Sequence, residues 1–591
     1  MATLEGHYRD MCDIEFTIEK GRLWILQTRV GKRTAFGEWV MAYEMLDEDL
    51  IDEGEALLRV DANRLEELFK WVIANQAKES ESHIAQGLNA SPGAAVGRVV
   101  FTADDAQARG QAGERVILVR RETTPDDYHG MIAAQGILTS AGGTNSHAAV
   151  VARGEGIPAV CGANEIRIDM GAREFRVNDL RVSEGDPITI DGFDGTVYLG
   201  ELPLEESKLE KARQGDEAAR QEPLWRSFER LMAIADERRR LRVRANADTP
   251  DQSTNARERG AEGIGLCRTE HMFLGEERVL AVRKMIFAET AEEEQEAYDA
   301  LTPLQQDDFV GIFTAMSGLP VTVRLLDPPL HEFLPDQVEL AVEVALAKAK
   351  GEDVTEQERV LQKVNELHEM NPMLGLRGVR LGIIKPGLYA MQVRAIVEAA
   401  VQVLRDGGDP QVEIMIPLVA TAPELQQMRA ELEPVAREIL EREGVELSHL
   451  EWGTMIELPR AAVTAGEIAE SADFFSFGTN DLTQTAFGFS RDDIGKFVGM
   501  YEERKLVPAN PFVTIDRPGV GALMRIAADE GRAANPSMHL GICGEHGGDP
   551  ASVVFCHELG LDYVSCSPFR VETARLAAGQ AAVASVEGAP A

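Results

Sequence analysis

His147 stands in the run Gly142-Gly143-Thr144-Asn145-Ser146-His147-Ala148-Ala149-Val150-Val151-Ala152-Arg153, where a glycine turn leads into an apolar helical pattern. The first turn of a helix offers unpaired N–H groups and the positive end of the helix dipole, so it attracts phosphate and disfavours imidazolium. A histidine there stays neutral and nucleophilic at physiological pH, which suits a phosphoryl carrier. The alternative is a histidine that merely caps or packs against the turn.

A second set of residues comes from far apart in the chain. Arg268, Arg324 and Arg377 each stand beside the end of an apolar segment, and forked guanidinium groups suit phosphate and carboxylate oxygens. Taken singly, each arginine fits a salt bridge at a rim equally well. Glu457 and Asp481 end two successive apolar segments and offer two carboxylates for Mg²⁺, with room for water and substrate oxygens. The competing roles are a helix N-cap for Asp481 and a pair with Arg460 for Glu457. Cys543, in Gly541-Ile542-Cys543-Gly544-Glu545-His546-Gly547-Gly548, places a thiol where a ligand can approach closely, unless it is an inert buried cysteine.

These residues need a scaffold that brings segment ends together. From about residue 240, short apolar segments alternate with long helical patterns. Strands are predicted at 242–246, 264–268, 321–326, 413–418, 452–457, 474–478 and 540–544, with a weaker one near Gly375 to Val379. Eight strands alternating with helices predict a (β/α)₈ barrel, whose catalytic face is the carboxyl end of its strands. An open doubly wound sheet is the alternative, and no glycine fingerprint follows the first strand to support it.

A chain of 591 residues is too long for one core. Residues 12–28 read as a hairpin turned at Lys20-Gly21, within a segment 1–31 that looks like the edge of a larger body. Residues 32–88 and 204–238 read as helical linkers, 89–203 as a compact α/β domain, 239–580 as the barrel and 581–591 as a frayed tail. The net charge of −39 repels phosphodiester backbones and anionic membranes, so neither nucleic acid nor a membrane is expected as a partner. No basic leader or spanning apolar run is seen, and Cys12, Cys161, Cys267, Cys543, Cys556 and Cys566 form no paired spacing. A cytoplasmic protein with free thiols is expected.

The run around His147 resembles the phosphohistidine signature of the phosphoenolpyruvate-utilising enzymes. Ile264 to Phe273, Val323 to Pro335, Asn371 to Gly378 and Phe475 to Leu482 are similar to barrel motifs of the pyruvate, phosphate dikinase family. The run Arg-Leu-Leu-Asp-Pro-Pro-Leu-His-Glu from Arg324 separates dikinases from the related sugar-transport kinase, enzyme I. The resemblance covers nearly the whole chain and implies an α/β multidomain protein, with a swivelling phosphohistidine domain followed by the phosphoenolpyruvate/pyruvate barrel.

By that resemblance His147 carries phosphate, and Arg268, Arg324 and Arg377 hold phosphoryl and carboxylate groups. Glu457 with Asp481 ligates Mg²⁺, Gly478, Thr479, Asn480 and Asp481 line the substrate pocket, and Cys543 protonates the enolate. Glu15, Gln27 and Arg29 match the last residues of the family's ATP-grasp nucleotide domain. Its glycine-rich loop and its lysine and arginine ligands are absent, so these residues alone are not expected to phosphorylate His147 from ATP. A separate ATP-grasp subunit and a homodimer through the barrel are implied partners. Asn145 replaces a threonine that a regulatory protein phosphorylates in some members. The leading function is thus the phosphoenolpyruvate/pyruvate half-reaction. The alternatives are a relay to a small phosphocarrier, for which no docking insertion is seen, and a non-catalytic phosphoenolpyruvate sensor.

Overall fold

The computed structural model describes residues 2–124, 127–143, 146–154, 156–273, 276–369, 371–491 and 493–587. Two compact units emerge, residues 1–234 and 235–591.

In the first unit, the predicted hairpin forms from Cys12–Glu19 and Arg22–Val30. Its turn residues, Lys20 and Gly21, both have positive φ (49° and 76°), the twist that suits a two-residue hairpin loop. Glu15 faces Gln27 across the strands, and Arg29 bridges Asp13 at 3.0 Å and Glu15 at 2.6 Å. The three residues matched to the nucleotide domain therefore lie together on one exposed face.

An eight-stranded sheet forms the body of this unit. Ala94–Val100, Val116–Arg120, Gly136–Thr139 and Ala159–Cys161 run parallel at its centre. The helix His147–Gly154 lies between the last two in sequence, and a parallel pair needs such a crossover. Ala148, Ala149 and Ala152 are fully buried in a cluster with Ile137 and Cys161 of the sheet. A second cluster joins Val99, Ile117 and Ile190 of the sheet to Phe175 and Val182 of a three-stranded meander.

The predicted linkers need correction. Within 32–88 helices dominate, but Ala85–Gln86 is an edge strand of the sheet. Val72–Ile73 pairs with Leu204–Glu205, so the two stretches read as linkers are joined by their own small sheet.

The second unit is a closed barrel of eight parallel strands. Its strands are β1 (Arg242–Asn246), β2 (Ile264–Arg268), β3 (Pro320–Arg324), β4 (Gln411–Ile416), β5 (His449–Ile456), β6 (Phe474–Phe477), β7 (His539–Ile542) and β8 (Tyr563–Cys566). The strand expected near Gly375 to Val379 is instead a loop between a 3₁₀ turn, Pro372–Leu374, and the helix Val379–Ile384. Gly378 sits there at φ 56°, in the left-handed region that interrupts a strand. The missing strand is β8, which pairs with β1 from Arg242↔Tyr563 to Ala245↔Cys566 and closes the ring. The expected frayed tail is also corrected. The helix Val571–Glu587 extends into it as far as the described residues go, with Ala581, Val583 and Ala584 buried. Among the described residues no helix is long and apolar enough to cross a membrane.

Candidate active site at the carboxyl end of the barrel

A cavity of about 290 Å³ opens where the barrel strands end, and Arg268, Arg324, Arg377, Glu457, Gly478, Asn480, Asp481 and Cys543 all line it. Arg268 and Arg324 are the last residues of β2 and β3. Glu457 follows β5, and Cys543 follows β7. Asp481 lies in the first turn of the helix Thr479–Phe487 after β6. Arg377 comes from the loop that replaced the expected strand. Gly378 fixes that loop, donating from its N–H to the Asp327 carbonyl at 2.8 Å.

The arginines are held by carboxylates that the sequence reading had not placed in the site. Arg324 reaches Asp327 at 2.9 Å and also pairs with Glu270. Arg377 donates to the same Asp327, from Nη2 at 2.5 Å and from Nε at 3.3 Å. Burial opposes ionisation of Asp327, but the two guanidinium groups hold its carboxyl below the usual range. Burial likewise disfavours charge on Arg324, yet Glu270 and Asp327 hold it firmly protonated. The Asp327 loop is pinned by the Leu326 N–H to Gln392 Oε1 at 2.8 Å and by the Tyr389 hydroxyl to the Leu326 carbonyl at 2.8 Å.

Arg268 is held more loosely. Its backbone N–H donates to Asp248 Oδ1 at 2.6 Å, while its Nη1 is 3.6 Å from Asp248 Oδ2. Its partly exposed head keeps more freedom to meet an incoming anion than the two buried arginines do.

Glu457 is fully buried. Its Oε1 accepts the Leu418 N–H at 2.7 Å, and Leu418 adopts φ 57°, a strained conformation for a leucine. Its Oε2 is buried without a hydrogen-bond partner among the described residues. Burial, then the charges of Asp481 and Asp327, push the Glu457 carboxyl well up, and burial raises Asp481 too. Two crowded carboxylates, one with an orphaned oxygen, suit a hard divalent cation such as Mg²⁺, whose charge would let both ionise. Gly478 is required here because a Cβ would stand 2.8 Å from Glu457 Oε2 and 2.6 Å from Met455 Sδ. The competing roles do not materialise. Arg460 donates to the Ala420 carbonyl, and the helix cap is Gly478, with Asp481 inside the first turn.

Cys543 is buried, and its carbonyl accepts from Asn246 Nδ2 at 3.1 Å. Burial pushes its thiol up to about 11, so it is protonated at neutral pH and able to give a proton. Thr479 does not line the cavity. Its hydroxyl meets His546 Nδ1 at 2.8 Å, and His546 Nε2 meets the Pro511 carbonyl at 2.9 Å. Thr479 thus braces the wall from behind.

In the first unit, His147 is the first residue of its helix, as the glycine turn predicted. Its side chain lies outside the described residues, as do Thr144 and Asn145. Ser146 accepts the Ala149 N–H at 3.4 Å, a capping contact that ties its hydroxyl to the helix start.

Residues 222–583 match the phosphoenolpyruvate-binding domain of phosphoenolpyruvate-utilising enzymes, and residues 112–195 match their mobile domain. The chain is 52% identical over 581 residues to pyruvate, phosphate dikinase of Rhizobium meliloti, and 50% identical to that of Clostridium symbiosum. It is also 50% identical to a chloroplastic pyruvate, phosphate dikinase of Arabidopsis thaliana. Each match covers 98% of this chain but 62%, 64% and 58% of the respective relative, so the chain spans about 60% of the relatives' length.

Proposed function

The chain belongs to the phosphoenolpyruvate-utilising enzyme family, and we propose that these 591 residues interconvert phosphoenolpyruvate and pyruvate, with His147 as phosphoryl acceptor. The observation that carries this reading is a cavity in which Arg268, Arg324 and Arg377 converge with Glu457, Asp481 and the protonated thiol of Cys543. The match of residues 112–195 to a mobile domain supports His147 as a carrier brought to that cavity.

Arg268, Arg324 and Arg377 offset charge on the substrate's carboxylate and migrating phosphoryl group. The bond from phosphorus to the enol oxygen breaks as a bond from phosphorus to an imidazole nitrogen of His147 forms, leaving an enolate. Glu457 and Asp481 would hold Mg²⁺, which when bound stabilises negative charge on the enolate oxygen. Cys543 gives its proton to the terminal carbon, producing pyruvate, and the reverse reaction returns that proton to sulfur. The ATP- and phosphate-dependent half needs a nucleotide-binding domain, of which Glu15, Gln27 and Arg29 would be an edge. We assign it to a separate ATP-grasp subunit or to the rest of a longer chain. A homodimer through the barrel and a cytoplasmic setting complete the proposal, the latter supported by the net charge of −39 and free thiols.

Cys543→Ala tests the division of labour. The variant is expected to bind phosphoenolpyruvate and pyruvate normally, while exchange of pyruvate methyl protons with deuterated water slows by about 100-fold or more. NMR of the methyl signal reads this directly. Wild-type exchange in the variant would return Cys543 to an inert core thiol.

A further inference from the structure

In the reaction proposed above, Asp481 and Cys543 come from different strand ends yet must meet one three-carbon substrate, the carboxylate on the side of its oxygen and the thiol at its terminal carbon. Cys543 is seated from β6 and β1. Its N–H donates to the Phe477 carbonyl at 3.1 Å, and its carbonyl accepts from Asn246 Nδ2 at 3.1 Å. Asn246 Oδ1 in turn accepts from the Ser565 hydroxyl of β8 at 2.6 Å. The 3₁₀ turn that follows, Glu545–Gly548, is equally firm. The Gly547 N–H donates to the Gly544 carbonyl at 3.0 Å, and a Cβ on Gly547 would overlap the Ser565 carbonyl.

Asn480 and Asp481 ride on the turn that leaves β6, and two contacts tie that turn to the platform behind Cys543. Asn480 Oδ1 accepts the Glu545 N–H at 3.3 Å, and the Thr479 hydroxyl meets His546 Nδ1 at 2.8 Å. The approach is so close that a Cβ on Gly544 would overlap the Thr479 hydroxyl. The direction of the second contact follows from the far side of the ring. His546 Nε2 lies 2.9 Å from the Pro511 carbonyl, which can only accept, so Nε2 carries the proton. His546 is fully buried, and burial pushes it below the usual imidazole range. The neutral ring leaves Nδ1 bare, and Thr479 donates to it. Neither side chain lines the cavity, so both act on the reaction only through what they hold.

We propose that His546 is a positioning residue which, through the Thr479 hydroxyl, sets Asn480 and Asp481 at their working distance from Cys543. A shift of about 1 Å at a reacting group costs on the order of 100-fold in rate. Proton transfer at the substrate carbon is the step most exposed to such a shift, because it needs the ends of β6 and β7 at once. Substrate binding rests instead on Arg268, Arg324 and Arg377, which stand on other elements.

The test compares four variants of the full chain. Thr479→Val keeps the shape and removes the donated proton, and Thr479→Ser keeps the hydroxyl. His546→Gln keeps an N–H for the Pro511 carbonyl but no acceptor in the place of Nδ1, and His546→Asn keeps that acceptor. With Mg²⁺ present, exchange of pyruvate methyl protons with deuterated water should fall by about 100-fold in Thr479→Val and His546→Gln, and by less than about tenfold in the other two. Affinity for phosphoenolpyruvate and pyruvate should stay within about twofold of wild type throughout. A general loss of packing would instead lower melting temperature and affinity together, without separating Gln from Asn. Nitrogen-15 NMR of labelled histidines reads the ring itself. The His546 signals, assigned by their loss in His546→Asn, should show a protonated Nε2 and a bare Nδ1 from about pH 6 to pH 9. Should Thr479→Val not fold, the contrast between His546→Gln and His546→Asn and the ring spectrum of the wild type decide. The opposite tautomer, or wild-type exchange in a folded Thr479→Val or His546→Gln, would overturn the role of His546 and leave the proposed reaction standing. A wild-type chain that exchanges no pyruvate protons would overturn the reaction and the role of His546 with it.

Discussion

Glu457→Gln and Asp481→Asn are each expected to lower Mg²⁺-dependent consumption of phosphoenolpyruvate by about a thousandfold, with pyruvate proton exchange falling in parallel. Both steps pass through the same enolate, so a loss confined to one of them would contradict the assignment. The fold should survive, because the amides keep the shape of the carboxyls and remove like-charge crowding. Burial and the neighbouring charges of Asp481 and Asp327 raise Glu457, so without a cation the pair holds a proton to a higher pH than exposed carboxyls do. Binding of Mg²⁺ must then expel it, and affinity should rise with pH through the range in which Glu457 titrates. Calorimetry in buffers of different ionisation enthalpy measures the released proton, and Glu457→Gln should release less. A wild-type burst rate in either variant would move the metal site elsewhere.

The second large effect is expected at Arg324. Its guanidinium joins Glu270 to Asp327, and Arg377 shares Asp327 from the other side. Arg324→Lys keeps the positive charge but loses the planar fork. The second-order rate constant of the phosphoenolpyruvate burst should fall by about 100-fold, roughly 2.7 kcal/mol of transition-state stabilisation. Arg324→Met leaves two carboxylates short of a partner in a dry setting, where breaking a buried pair costs about 3–5 kcal/mol. Its melting temperature should therefore drop well below that of the lysine variant. Equal kinetics for Arg324→Lys and wild type would reduce Arg324 to a structural tie.

Much of this arrangement is legible in the sequence because barrel strands are short apolar runs with polar residues at their carboxyl ends. Arg268, Arg324 and Cys543 could be placed on such ends, and Glu457 and Asp481 just beyond them. The eighth strand was misplaced. Tyr563–Cys566 is four residues long with Ser565 in it, no weaker than Phe474–Phe477 with its Ser476, and it is passed over once a segment near Gly375 fills the count of eight. Gly375 to Val379 took its place because an arginine beside apolar residues looks like a strand end, although its glycines are there to turn the chain. Asp327 and Glu270 were visible in the quoted motifs, yet a carboxylate close to an arginine ordinarily reads as a surface pair. Only the closed barrel shows that both stand inside the cavity. Thr479 was assigned to the pocket by resemblance, and its hydroxyl turned out to be committed to His546.

The central claim is that these residues pass phosphate from phosphoenolpyruvate to His147 without any nucleotide. Its most direct test mixes the purified chain with phosphoenolpyruvate labelled on phosphorus and Mg²⁺ alone, then measures pyruvate released and label retained. About one equivalent of each is expected in a single burst. The protein-bound label should be lost in acid, persist in base, map to the peptide around Gly142 to Arg153, and be absent from His147→Ala. Label on another residue, label that persists in His147→Ala, or no pyruvate from a folded chain would contradict it.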